Sequence, residues 1–362
     1  MKRFISFITT AAVALAMVIS FAGCKDNSSN KVQPEEMVEY EIAMITDDSL
    51  VMDGGHSEAA WNAITEFGAG NGISHKYYKA TEATKKAYKG AINTAVEKGA
   101  KVIVFDGYTF DDTAVSFEDD YSDVNFVVLN ATPVDEETGK VGIADNITAI
   151  HFESEQTGFL AGYAAVAEGY TRLGFIGESE VDLISGFGYG YVKGADRAAG
   201  EAGIDVEIRY LYCDAETAAD AFDMARTWYE EGTEVIFACG HGVEKEIIRA
   251  AESAEGKVIG SCLEKTDLSD TVIATAVHDI KTALERALYD YKEGELETGV
   301  IITYDVNNSG VYLAVAEDRM INFGSADAEA LREAIADGEI NVKMENITDP
   351  ELINAPRVKI IR

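Results

Sequence analysis

From residue 39 onward the chain repeats one unit: a short apolar run, a loop, then a stretch with apolar residues spaced at i, i+3 and i+4. The apolar runs predict strands at 40–45, 102–105, 125–129, 172–176, 206–211, 235–238, 258–260 and 272–276. The spaced stretches predict helices at 57–68, 83–98, 155–168, 188–202, 215–231, 243–254 and 280–293. Alternation of this kind demands a parallel sheet covered by helices on both faces, because a parallel crossover must leave the sheet and return to it. Three strand units precede Ile150 and three or four follow it, so the expectation is α/β: two doubly wound parallel-sheet lobes joined by a hinge. The expected boundaries are 38–150 plus about 263–297 for the first lobe, and 151–262 plus about 298–362 for the second. The segment 322–362 is weakly patterned, and 357–362 is expected to pair as an edge strand.

The N-terminus does not belong to that pattern. Lys2 and Arg3 precede an uncharged apolar stretch from residue 4 to residue 21, which ends in Ala22-Gly23-Cys24. This reads as a secretory signal with a small-residue processing site, residues 1–23. It is similar to a bacterial lipobox, in which the cysteine becomes a lipidated N-terminus; Cys24 is then the acylated residue, carrying chains such as palmitate. A plain signal peptide and a retained membrane helix are weaker readings, the second because the run barely reaches spanning length. Residues 24–37 are polar, with Ser, Asn and Pro and little to bury, and read as a flexible tether. The expected location is the extracytoplasmic face of the cell membrane, held by the lipid anchor.

A hydrophobic content of 47% supplies two cores. The net charge of −34 becomes −36 without Lys2 and Arg3, which argues against nucleic acid as a partner. After Cys24 only Cys213, Cys239 and Cys262 remain, and neither their number nor their spacing suits a disulfide framework. They are expected as free thiols.

Open α/β sheets bind ligands at the carboxyl ends of their strands. The polar residues to inspect are therefore 46–48, 106–108, 130–131, 177–179, 239–242 and 261–262, and hinge closure around a small ligand is the mechanics this architecture offers.

Several landmarks resemble the basic membrane protein family, purine-nucleoside-receptor-like substrate-binding lipoproteins of ABC transporters. Ile45-Thr46-Asp47 through Trp61-Asn62-Ala63 is similar to the family's opening signature, with Asp47, Asp53 and Trp61 matching. Phe152-Glu153-Ser154-Glu155-Gln156-Thr157-Gly158-Phe159-Leu160-Ala161-Gly162 resembles its central helix, and Gly174-Phe175-Ile176-Gly177 with Phe187, Gly190-Tyr191 and Gly194-Ala195 follows in order. The resemblance runs over roughly residues 39 to 320 and implies a type I periplasmic-binding-protein-like fold, a nucleoside-like ligand and an ABC permease as partner. It implies ligand contacts from Asp47, Asp53, Gly177, Phe187 and Gly240. The departures fall in the same pocket: His56 and Ser57 stand where the family has a base-stacking Phe and its Asn neighbour, Asn130 and Cys262 where it has Asp, and His278 where it has Lys. The resemblance therefore implies the same clamp with an altered or looser ligand site, in which His56 stacks as a flat ring and His278 gives one hydrogen bond.

Two other chemistries compete for these residues. His56, Cys262 and His278, with Cys239 and His241, form a donor set for a transition metal, but no HxxxH or CxxC spacing accompanies them. Gly55-His56-Ser57-Glu58-Ala59 approaches a nucleophile elbow, yet about ten residues separate it from the preceding strand, so no enzyme is expected. The acidic residues Asp111, Asp112, Glu118, Asp119 and Asp120 lack the order of a calcium loop and read as a solvated face. Residues 186–190 read as a flexible glycine turn presenting Phe187 to the cleft, and Trp61 and Trp228 as core. No pattern calls for a cofactor. A ligand-sensing lipoprotein that acts on a membrane sensor kinase is the alternative that sequence does not separate from a transport receptor.

Overall fold

The computed structural model describes residues 39–46, 55–82, 84–106, 121–130, 134–135, 140–213, 220–345, 347 and 349–362. Cys24, Asp47, Asp53 and the acidic run at 111–120 lie outside them, so the expectations for the anchor, the tether and those residues are not addressed by it. Among the described residues no helix is long and apolar enough to cross a membrane.

Two sheets form, as the alternation requires. The first has the order β13 (Val300–Tyr304), β7 (Ile147–Phe152), β4 (Asn125–Leu129), β3 (Val102–Asp106), β1 (Ile42–Thr46), β2 (His75–Lys79), parallel throughout. The second runs β14 (Val311–Val315), β12 (Val272–His278), β11 (Lys257–Cys262), β10 (Val235–Cys239), β8 (Arg172–Gly177), β9 (Val206–Tyr212), β15 (Val358–Ile361); only β14 in this sheet is antiparallel to its neighbour. Short strands β5 (Val134–Asp135) and β6 (Lys140–Val141) pair separately. The central strands β1, β3, β10 and β12 are buried at every position, which is why they read as unbroken apolar runs rather than alternations. The expected C-terminal edge strand is present as β15, beside β9.

The chain passes between the lobes three times: after β7, after β12 and after β13. The crossings lie against one another, with Glu153 N–H donating to the Tyr304 carbonyl (3.0 Å) and Asp279 N–H to that of Gly310 (2.8 Å). These pairings correct the expected boundaries. Residues 272–278, placed in the first lobe by expectation, form β12 inside the second sheet, while 300–304, placed in the second, form β13 at the edge of the first. An apolar run announces a buried strand but does not say which of two similar sheets will bury it. The return to the first lobe is made by α7 (Ile280–Glu293), where Asp279 caps the helix by accepting from Thr282 N–H (3.0 Å). That helix packs on α1 (His56–Asn71), with Tyr289 edge-on to Phe67 at 4.9 Å.

Helix α2 (Lys85–Glu97) covers the first sheet, and α5 (Ala221–Glu230), α6 (His241–Ala254) and α8 (Ser325–Ala336) belong to the second lobe. Helices α3 (Ser154–Glu168) and α4 (Asp182–Ala202) cross most closely. Glycines make that crossing possible: a Cβ at Gly190 would lie 2.0 Å from the Glu155 carbonyl oxygen, and one at Gly162 2.0 Å from that of Tyr191. The glycine run 186–190 is therefore helical, and the expected turn is not there; glycine serves backbone contact between helices rather than a bend. Trp61 and Trp228 lie on helices, half-buried against the cores. Cys213, Cys239 and Cys262 are buried, and none of them forms a disulfide among the described residues.

Candidate functional site

The carboxyl ends of the two sheets carry the polar residues that the apolar strands deliver there. On the first lobe, β3 ends in Asp106, which is 8% exposed. Ser57, in the first turn of α1, donates its hydroxyl to Asp106 Oδ2 at 3.0 Å. Asn130 follows β4 with φ +56°, a left-handed conformation that Asn tolerates better than most residues. Its Nδ2 donates to Asp106 Oδ1 at 3.4 Å, and its backbone N–H to the Ile150 carbonyl at 2.9 Å. Ser57 and Asn130, both expected in the site, are thus joined through the carboxylate of Asp106, one of the strand-end positions to inspect but not one of the ligand contacts the resemblance implied. A polar residue closing the run Val102-Ile103-Val104-Phe105 was its available signal.

On the second lobe, β11 ends in Cys262, 4% exposed with φ +69°. Burial pushes its thiol up to about 12, with the carboxylates of Glu244 and Asp106 adding to the rise and Lys265 opposing it. The Asp106 contribution places the end of β3 opposite the end of β11. Behind Cys262 lies a buried ion pair: the Glu244 carboxylate takes Lys265 Nζ on one oxygen and Ser261 N–H (2.9 Å) on the other, while Nζ also donates to the Ser261 carbonyl at 3.2 Å. Gly240, with φ +112°, starts α6 and gives its N–H to Ser261 Oγ at 3.4 Å. This network fixes the backbone on both sides of the β11 terminus, and sequence reading missed it because its members are 17 and 21 residues apart.

His278 ends β12 and is 1% exposed. Its ring lies between Phe152 (4.9 Å, 6°) and Phe187 (4.8 Å, 17°) in a three-ring stack. Nε2 is 3.3 Å from Thr157 Oγ1, whose own proton goes to the Ser154 carbonyl at 3.2 Å, so the network assigns the imidazole proton to Nε2. Nδ1 is left as an acceptor with no partner among the described residues. Desolvation, then the nearby His56 and His151, hold His278 well below the usual histidine range, and the ring is neutral at pH 7. The influence of His56 places the start of α1 close to the end of β12.

Two candidates serve packing. Phe187 is 0% exposed inside α4, edge-on to Phe237 at 5.8 Å, so no turn presents it to the cleft. Gly177 ends β8 under Ile184 and Tyr212, where a Cβ would lie 2.6 Å from Ile184 Cγ2. A metal would have to displace the proton that burial holds on Cys262, and among the described residues no group of three His, Cys, Asp or Glu side chains is arranged for a metal ion.

The chain matches the family model described as ABC transporter substrate-binding protein PnrA-like over residues 40–346. It is 25% identical to the ABC transporter nucleoside-binding protein BmpA of Lactococcus lactis, covering 92% of this chain and 98% of that one. It is 26% identical to basic membrane protein A1 of Borrelia garinii, covering 76% and 81%. The fold is similar to that of an ABC transporter solute-binding protein from Aeropyrum pernix, with TM-score 0.70 at 15% identity, covering 84% of this chain and 94% of that one.

Proposed function

The chain belongs to the Bmp family of PnrA-like ABC transporter substrate-binding proteins, and from that premise we propose that it is a lipid-anchored receptor which closes its two lobes on a purine nucleoside. Cys24 holds it at the extracytoplasmic face, and an ABC permease takes the ligand. The observation that carries this reading is the convergence of both sheets' carboxyl ends: Ser57, Asp106 and Asn130 on one lobe, Cys262 and His278 on the other, joined by three chain crossings that can bend together. The imidazoles of His56 and His278 suit hydrogen bonding to the edge of a heterocycle, and the polar Asp106 side suits hydroxyls. The nucleoside-binding relative at 25% identity supports the same ligand class. Asp47, Asp53 and Gly240 complete the proposed contacts.

A thermal-shift panel on the full chain in detergent, covering nucleosides, bases, sugars, amino acids and divalent metals, tests the reading. A ligand at a hundredfold excess over its dissociation constant adds about 2.7 kcal/mol to a state it alone binds. Stabilisation by adenosine, guanosine or inosine supports the proposal. Stabilisation by amino acids or sugars alone moves the ligand out of the nucleoside class, and a silent panel refutes it.

A further inference from the structure

The acidity of this chain is not evenly spread. Between His75 and Lys101 stand seven lysines and two acids, Glu82 and Glu97, a net of +5 within a total of −34, so the remainder carries −39. The fold gathers these lysines on β2, an edge with no second neighbour among the described residues, and on α2, which packs against it. Lys76 and Lys79 lie on β2, Lys85, Lys86 and Lys89 in the first turns of α2, and Lys98 and Lys101 between that helix and β3; all are exposed. Lys76, Lys79, Lys86, Lys98 and Lys101 make no ion pair among the described residues, whereas Lys281 and Lys359, elsewhere on the surface, meet Glu66 and Glu207. An open groove of about 620 Å³ lies between β2 and α2, and Tyr77, Tyr78, Lys79 and Lys86 are among the residues that line it. Tyr77 is 42% exposed, a ring with a polar tip of the kind that settles where apolar and wet surroundings meet.

The chain enters the fold at the base of the same face. Tyr40 N–H donates to the Lys98 carbonyl at 2.7 Å, Lys101 N–H to that of Glu41 at 2.9 Å, and the Lys76 ammonium lies 5.2 Å from the centre of the Tyr40 ring. We propose that this lysine face seats the first lobe on anionic lipid headgroups, with the β2–α2 groove receiving headgroup phosphate between Lys79 and Lys86. The inference rests on the anchor read at Cys24. A flexible tether from residue 24 to residue 37 spans roughly 20 Å on average, so the residues that follow it are kept near the surface. The negative charge of the whole chain does not oppose the contact, because salt screens charges more than about 8 Å apart and headgroups touching the lysines feel little of the carboxylates beyond them. Each lysine brought to an anionic membrane multiplies the preference for it by about fivefold. With the first lobe held in this way, hinge closure is a movement of the second.

The full chain, added to preformed vesicles of phosphatidylcholine with or without phosphatidylglycerol, tests this through the rate at which an uncharged acylating reagent labels each lysine. Labelling of Lys76, Lys79, Lys86, Lys98 and Lys101 should slow at least about fivefold when phosphatidylglycerol is present, while that of Lys359 on β15 stays the same. Salt at about 1 M, where the screening length falls to about 3 Å, should remove the difference. The triple variant Lys76→Glu, Lys79→Glu, Lys86→Glu should lose the protection at Lys98 and Lys101 with an unchanged melting temperature. Equal labelling in the two kinds of vesicle overturns the proposal, and so does protection that survives high salt, since charge is then not what holds the face. Protection that needs no lipid and grows with protein concentration in detergent also overturns it, and gives the face to the acidic surface of a second copy. Flotation reads the anchor separately. Failure to float with pure phosphatidylcholine refutes the anchor at Cys24, flotation that then requires phosphatidylglycerol sustains the lysine face alone, and failure with both overturns both. The labelling comparison uses the parent protein, so it holds even if the variant fails to fold.

Discussion

Glu153 stands at the first crossing between the lobes, where a change of charge is felt by the hinge itself. It is half-buried, shares a hydrogen bond with Glu155, and is faced by Asp305 from the β13–β14 crossing and Lys343 from the C-terminal segment. Burial, then Glu155 and Asp305, raise its carboxyl from 4.5 to about 8, with Lys343 opposing. The folded protein thus holds a proton at neutral pH that the unfolded chain has released. The folded value lies above the unfolded one, so there is no penalty below the unfolded value, stability falls as pH rises from about 4.5 to about 8, and the loss is complete above that. A tenfold change in proton affinity is ~1.4 kcal/mol, which sets a ceiling of about 5 kcal/mol. Solvent screening of a half-exposed group reduces this to about 1–2 kcal/mol. Glu153→Gln keeps the shape and the hydrogen bond to Glu155 and removes the charge. It should match the parent at pH 4 and exceed it by that amount at pH 8.5, a gain of several degrees in melting temperature at most. Calorimetric melts across that range decide the matter. A difference that does not change with pH, or a parent more stable than the variant at pH 8.5, would refute the reasoning.

Three further outcomes follow from the same geometry. Gly190→Ala sets a methyl 2.0 Å from the Glu155 carbonyl oxygen, a backbone atom with little room to move, and should cost about 3 kcal/mol or more in urea unfolding; an unchanged midpoint would contradict the close crossing of α3 and α4. Glu244→Ala leaves Lys265 charged and buried and should lose about 3–5 kcal/mol, most of it recovered when Lys265→Met is added; equal losses in the single and double variants would mean that the pair is not coupled. Zinc should not raise the melting temperature at pH 7, because it would have to displace the proton that burial holds on Cys262 with no group of three donors arranged for it among the described residues, and a stabilisation reversed by chelator would restore the metal reading.

The repeating apolar run and amphipathic stretch were enough to specify the layers. Buried parallel strands are apolar at every position and their covering helices on one face, and both periodicities are local. The edge and crossing strands β2, β7, β13 and β14 escaped because their signals are weak or ambiguous. Strand β2 is His-Lys-Tyr-Tyr-Lys on an open edge with one face in water, and β13 is a partly exposed edge strand. The assignment of 272–278 and 300–304 to opposite lobes is a matter of which sheet had a free edge, which no run of residues states. Within the site, Ser57, Asn130, Cys262 and His278 were legible as polar residues at strand or helix ends, and the resemblance marked them as changed positions. The role of Asp106, the burial of Phe187 and the direction in which Asn130 and His278 present their acceptors were not. Those depend on side chains brought together from positions 24 to 121 residues apart. A sequence determines which groups a chain carries to its strand ends; hydrogen-bond polarity and burial exist only once distant strands have set those groups against each other.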